Sequence, residues 1–109
     1  MSQTYLLGLD NGTTTTKATL FDLDGNEIAV ASSREVITSH PEPGWAEQSM
    51  EEIWNATVAA IRGLLEKSKI DPGQIAGVSS SGHGSGVWLL DRQGRPIRPA
   101  IIWLDGRAK

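Results

Sequence analysis

No cysteine occurs among the 109 residues, so neither a disulfide framework nor a thiolate metal site is available. That absence fits a reducing, cytoplasmic setting. Long apolar runs are missing too: nothing approaches the roughly 20 residues of a membrane span. The start, Met1-Ser2-Gln3-Thr4-Tyr5, lacks the basic and apolar regions of a signal peptide. Nor does one sign of charge dominate, since 10 basic and 13 acidic residues leave a scattered net charge of -3 with no nucleic-acid footprint. Neither a membrane nor a nucleic acid is expected as partner. The chain shows no repeat, low-complexity tract or linker. One soluble domain is expected, large enough for a core but small for a complete nucleotide-using enzyme.

What is present concentrates near the start, in Leu7-Gly8-Leu9-Asp10-Asn11-Gly12-Thr13-Thr14-Thr15-Thr16-Lys17-Ala18. An apolar stretch runs into an acid, then a glycine, then hydroxyls closed by a lysine. Phosphoryl chemistry develops charge on non-bridging oxygens, which donors, cations and a metal must meet. A Walker A loop needs glycine directly before the lysine and a helix after it, whereas Thr16 precedes Lys17 and Ala18-Thr19-Leu20-Phe21 reads as strand. A Rossmann fingerprint also wants a following helix. What remains is strand, tight turn, strand, with a tip able to hold phosphate. The competing reading is an ordinary hairpin, because Asn-Gly is the commonest two-residue hairpin signal and needs no ligand. Asp10 favours function, since an acid ending an apolar strand is poor for folding unless paired.

Strands are predicted over 5–10, 17–22 and 27–37, followed by a loop over 38–45 that its prolines keep irregular. A helix over about 49–68 has Ser49 as N-cap and Glu52 as its capping-box partner. Its apolar stripe is Ile53, Trp54, Val58, Ile61, Leu64 and Leu65. Gly63 weakens the helix by roughly 1 kcal/mol, Lys67 and Lys69 suit its C-terminal dipole, and Asp71-Pro72-Gly73 stops it. A strand over 75–81 runs parallel to the first if the helix is its crossover. After Gly82-His83-Gly84-Ser85-Gly86, short strands are predicted at 87–90 and 101–104. This order describes an α/β, ribonuclease-H-like half domain of actin-type ATPases. Its mixed sheet holds an antiparallel meander and one long helix, and is expected to be incomplete.

Four features in order carry a family resemblance. They are Gly8-Leu9-Asp10-Asn11-Gly12-Thr13-Thr14, then Pro43-Gly44-Trp45-Ala46-Glu47-Gln48, the glycine-rich segment ending Trp88-Leu89-Leu90-Asp91, and Pro99-Ala100-Ile101-Ile102-Trp103-Leu104-Asp105-Gly106-Arg107. Together they resemble the N-terminal end of the FGGY carbohydrate kinases, which include glycerol, xylulose, L-xylulose and erythritol kinases. The resemblance covers essentially the whole chain, but only the first part of the family's first domain. It implies ATP and Mg2+ as cofactors and a small sugar or polyol as substrate. Asp10 would help hold the magnesium; Gly12, Thr13, Thr14 and Lys17 would meet the phosphates. His83, Gly84 and Ser85 would contact substrate, with Trp103 as an apolar wall and Asp105 and Arg107 close by. A homo-oligomer is an option for the full-length protein.

Departures bear on the substrate. Glycerol kinases carry Arg-Glu where His83-Gly84 stands, and D-xylulose kinases Gln-Met-His. Small residues before Trp88 look more like the erythritol and L-xylulose branches. The family's base toward the attacking hydroxyl lies far downstream, and its adenine site is in a second domain, so the 109 residues alone are expected to be inactive. Blander readings stand beside these. His83 alone suits a neutral histidine bonded to backbone, and Asp105–Arg107 a surface ion pair of little weight. Trp45, Trp54 and Trp88 suit core or loop anchors. A non-catalytic nucleotide-binding or interaction module, or an actin- or chaperone-type ATPase domain, is the alternative. The glycine-rich segment and Trp103-Leu104-Asp105 argue against a pure ATPase.

Overall fold

A computed structural model of the chain describes residues 3–108. Strands β1 (Tyr5–Asn11), β2 (Thr16–Asp22) and β3 (Glu27–Ser32) form an antiparallel meander. Strand β4 (Glu47–Gln48) leads into helix α1 (Met50–Ser68), and a 3-10 turn at Pro72–Gln74 precedes β5 (Ile75–Gly82). A short β6 (Ala100–Ile101) closes the order. The four-stranded sheet runs β3-β2-β1-β5, with β5 parallel to β1, so α1 lies in the crossover between meander and β5. This is the mixed sheet of a partial ribonuclease-H-like, actin-like domain.

Alternation along the strands builds the core. Tyr5, Leu7, Ala18 and Leu20 are buried, while their sequence neighbours Leu6 and Lys17 point to the opposite face. Against the buried set α1 places Ala60 and Leu64, with Leu9, Ala29, Ala31 and Ile61 packed around them. A Cβ at Gly63 would lie 3.6 Å from the Ala31 methyl, an ordinary van der Waals contact. Ser49 caps α1 by accepting from the Glu52 amide at 3.2 Å. Only this half of the predicted capping box forms. The full reciprocal box appears instead at Asp71 and Gln74, one turn after the helix. Lys69 ends α1 in the left-handed conformation, φ 57°, and Lys67 donates to the Val30 carbonyl rather than to the helix end.

Several predicted elements come out differently. The third strand ends at Ser32, not at residue 37. There the chain turns to follow the hairpin tip, with the Ser33 amide on the Thr16 carbonyl and the Val36 amide on that of Thr14. Residues 87–90 form isolated bridges (Val87 with Ile101, Leu90 with Pro96) instead of a strand. Asp91 draws the chain into a turn by accepting from the Gln93 and Arg95 amides. Of 101–104, Ile101 alone stays in strand, because the Asp105 amide bonds back to the Ile102 carbonyl and closes a turn. The ladder β6 does join is with β4, which composition did not suggest. Trp54 leaves the apolar stripe, being 66% exposed. Trp88 and Trp103 are also exposed, so none of these three is core.

A second small cluster of Ala46, Ala100 and Ile102, with Met50 against it, holds β4, β6 and the start of α1 together. The Cα radius of gyration is 16.3 Å, against about 13 Å for a compact domain of this size. Val78 on β5 is 61% exposed, because α1 covers the meander and leaves that edge open.

Candidate functional site

The site begins at the β1–β2 tip. Asn11 pairs with Thr16, so the connection is the loop Gly12–Thr15 and not a two-residue Asn-Gly turn. The Gly12 amide closes it on the Thr15 carbonyl at 3.0 Å. A Cβ at Gly12 would stand 2.9 Å from that same oxygen, so the position takes only glycine without a shift. Three of the loop's carbonyls are engaged by protein donors. The Thr13 carbonyl takes Gln48 Nε2 at 2.6 Å, the Thr14 carbonyl takes the Val36 amide at 2.6 Å, and Thr15 takes Gly12. Among the described residues, no acceptor engages the amides of Thr13, Thr14 and Thr15. Thr14 and Thr15 are exposed. A loop with engaged carbonyls, unengaged amides and exposed threonines suits an anion.

Beside the tip, Asp10 and Lys17 are direct cross-strand neighbours and share one sheet face with Gly8, Thr19, Phe21, Ser79 and Ser81. These residues line an open groove of about 280 Å³. Asp10 is exposed, so the folding penalty argued from sequence does not apply; among the described residues its carboxylate meets only the Ser81 hydroxyl, at 3.5 Å. Among the described residues, no three His, Cys, Asp or Glu side chains gather to form a protein cage for a metal. A lone exposed carboxylate fits Mg2+, which keeps several waters and is shared with substrate phosphates.

The later candidates reach the tip from the other side. The His83 amide donates to the Asn11 carbonyl at 3.3 Å, setting the glycine-rich segment beside the hairpin. Its ring lies 5.6 Å from Trp88, tilted by 55°, and its Nδ1 is buried without a partner. Backbone bonding is therefore not the whole account of this histidine. Gly84 is exposed, and Ser85 holds a left-handed φ of 58° that a non-glycine residue seldom adopts. Trp103 arrives directly: its indole Nε1 donates to the Thr13 hydroxyl at 2.9 Å.

Asp105 is placed differently. One carboxylate oxygen accepts from the Ala46 amide at 2.7 Å, and both bind the Arg107 guanidinium. Arg107 continues to Glu47 at 2.7 Å, Glu47 also holds Arg98 at 2.6 Å, and Trp45 stacks 3.8 Å beneath the Arg107 guanidinium. The Asp105 and Arg107 side chains are 4% and 20% exposed, so this is a partly buried network around buried carboxylates and not a surface pair. Hydrogen bonds from Arg107 hold the Asp105 carboxyl far below the usual carboxylate range despite its desolvation, with the Arg107 and Ala46 amides helping. The same bonds push the Arg107 pKa further up. The network clamps residues 45–47 to 98–107, and so fixes the segment that delivers Trp103.

Residues 5–109 match the N-terminal domain of the FGGY family of carbohydrate kinases. The chain belongs to that family. FGGY relatives include a glycerol kinase of Thermococcus gammatolerans, 39% identical over 99 residues, which cover 91% of this chain and 20% of the relative. The L-xylulose/3-keto-L-gulonate kinase of Escherichia coli is 41% identical over 104 residues, covering 95% and 21%. Among solved FGGY structures, a xylulose kinase from Rhodospirillum rubrum superposes with a TM-score of 0.85 at 36% identity, covering 94% of this chain and 21% of that one. The chain thus spans about a fifth of the length of the curated relatives it matches.

Three residues of this FGGY chain escaped the sequence reading. Asn11, read there as part of the turn, is a brace: its Nδ2 reaches Thr16 at 3.1 Å and Thr57 on α1 at 2.8 Å. Gln48 and Glu47 were quoted only as motif letters, yet both are buried polar side chains with long-range partners. The available signal was charge and amide at positions beside the apolar Ala46.

Proposed function

We propose that the chain forms the phosphate-binding part of a kinase that transfers the γ-phosphoryl of ATP to a hydroxyl of a sugar or polyol. One observation carries this reading: in the Gly12–Thr15 loop the carbonyls of Thr13, Thr14 and Thr15 are engaged by protein donors, while among the described residues no acceptor takes the amides of Thr13, Thr14 and Thr15, beside Asp10 and Lys17. Amides of Thr13 and Thr14 would bind phosphate oxygens, and the Lys17 ammonium would offset their charge. Asp10 would hold Mg2+ largely through water, and the metal when bound would neutralise charge on the phosphates. Positioning and electrostatics supply most of such catalysis.

His83, Gly84, Ser85 and the exposed face of Trp103 are proposed to form part of the acceptor side. Asp105 is assigned to holding that side in place, since its carboxylate is already engaged. The substrate falls among ketopentoses of the xylulose and L-xylulose type and erythritol-like polyols, because His83-Gly84 does not reproduce an Arg-Glu pair for glycerol. The isolated 109 residues would bind phosphate without turnover, lacking the base and the adenine site that the family resemblance places downstream. Amide signals of Gly12–Thr14 followed during titration with Mg-ATP test the reading. Shifts confined to that loop and the Asp10–Lys17 pair support it, and an unmoved loop would refute it. Steady turnover of a polyol panel by the 109 residues would remove the claim of inactivity.

A further inference from the structure

Thr13 is gripped at two points by residues far along the chain. Its carbonyl accepts from Gln48 Nε2 at 2.6 Å, and its hydroxyl accepts from Trp103 Nε1 at 2.9 Å. A threonine hydroxyl has one proton to give and two lone pairs to offer. The indole has no acceptor, so its N–H fixes the direction of this bond and occupies a lone pair. The Thr13 hydroxyl keeps its proton to donate, beside the amides of Thr13, Thr14 and Thr15, which no acceptor engages among the described residues.

Gln48 is 1% exposed. Its amide orientation follows from its partners, since a carbonyl can only accept: Nε2 faces Thr13 and also donates to Thr38 Oγ1 at 3.0 Å. Its Oε1 is left buried without a partner. An orphaned buried acceptor is costly, and a methionine of similar length would avoid that cost. Packing alone does not select this amide.

We propose that Gln48 and Trp103 are positioning residues for the phosphate loop, fixing the carbonyl and the hydroxyl of Thr13 so that its amide and its proton converge on one phosphate oxygen. Trp103 therefore acts on the nucleotide through its N–H as well as bordering the acceptor side with its ring. This deepens the phosphate-site reading above and rests on it.

The test uses magnesium tripolyphosphate, which carries the phosphates without adenine, titrated calorimetrically into the chain. No heat with the unaltered chain would overturn the phosphate site itself, and this inference with it. Given binding, Trp103→Phe keeps the ring but loses the N–H, and is expected to weaken affinity about tenfold, as loss of one bond aligned on a charged ligand implies. Thr13→Val should weaken it at least as much. In the Thr13→Val background Trp103→Phe should then add nothing, whereas in a Thr13→Ser background, where the hydroxyl is retained, its effect should persist. Unchanged affinity in Trp103→Phe, or additive losses in the double variant, would overturn the proposal. Gln48→Met should also weaken binding while leaving the far-ultraviolet circular dichroism intact. If that variant does not fold, the Trp103 and Thr13 cycle decides alone.

Discussion

Asn11 Nδ2 donates to the hydroxyl of Thr57 at 2.8 Å, tying the mouth of the β1–β2 hairpin to the middle of α1. Thr57 spends its own proton on the Ile53 carbonyl, so its oxygen is free to accept. The same amide reaches Thr16 at 3.1 Å. Replacing Asn11 with alanine removes both bonds and leaves Thr57 and Thr16 with unused lone pairs. A loss of about 1–3 kcal/mol is expected, read as a lower urea midpoint at unchanged m-value.

The core and the exposed tryptophan should behave in opposite ways. Leu64 is fully buried against Leu7 and Leu20, so Leu64→Ala is expected to cost about 2–5 kcal/mol. Trp54, 66% exposed, makes no comparable contribution. Trp54→Ala should stay within about 0.5 kcal/mol in the same urea experiment. Equal losses at the two sites would contradict the packing described.

Gly12 is held to glycine by the Thr15 carbonyl, 2.9 Å from where a Cβ would stand. Backbone blocks that methyl, so Gly12→Ala must open the loop. Weaker binding of magnesium tripolyphosphate by about tenfold or more is expected, with helix content unchanged by circular dichroism.

Acid stability should report Asp105. Its carboxyl is depressed in the folded protein by the hydrogen bonds of Arg107. A depressed folded value means that its stabilising contribution is complete above the unfolded value of about 3.9 and fades as pH falls through and below it. Between about pH 5 and pH 2 the parent should therefore lose more stability than Asp105→Asn, which has no such proton to take up. Above pH 5 the difference between the two should be flat. Asp22, also depressed, mainly by its hydrogen bonds from Asn26, is common to both proteins and cancels.

Much of this architecture could be read from local pattern. The strands β1 and β2, most of the 3.6-residue stripe of α1 and the Asp71-Pro72-Gly73 stop each arise within a few residues, and each formed. Asp10 and Lys17 were legible for the same reason: one strand ends in an acid, the next begins with a base, and antiparallel pairing makes them neighbours. Trp54 misled because helical spacing puts it near the stripe without saying how far round the sheet reaches. Residues 87–90 misled because their apolar run pairs with no continuous strand, only with single residues at Ile101 and Pro96.

The amino-acid order by itself settled the strand–turn–strand opening and the helix, since these follow from apolar patterning and capping along a continuous stretch, and it carried the motifs by which the chain resembles its family. Only the tertiary structure decided that Trp103 meets Thr13, that Gln48 holds the loop from behind, and that Asp105 belongs to an ion network with Arg107 and Glu47. Those contacts join side chains tens of residues apart. Their geometry depends on the β4–β6 pairing and the Met50 contact that joins it to the start of α1, and no local preference encodes that.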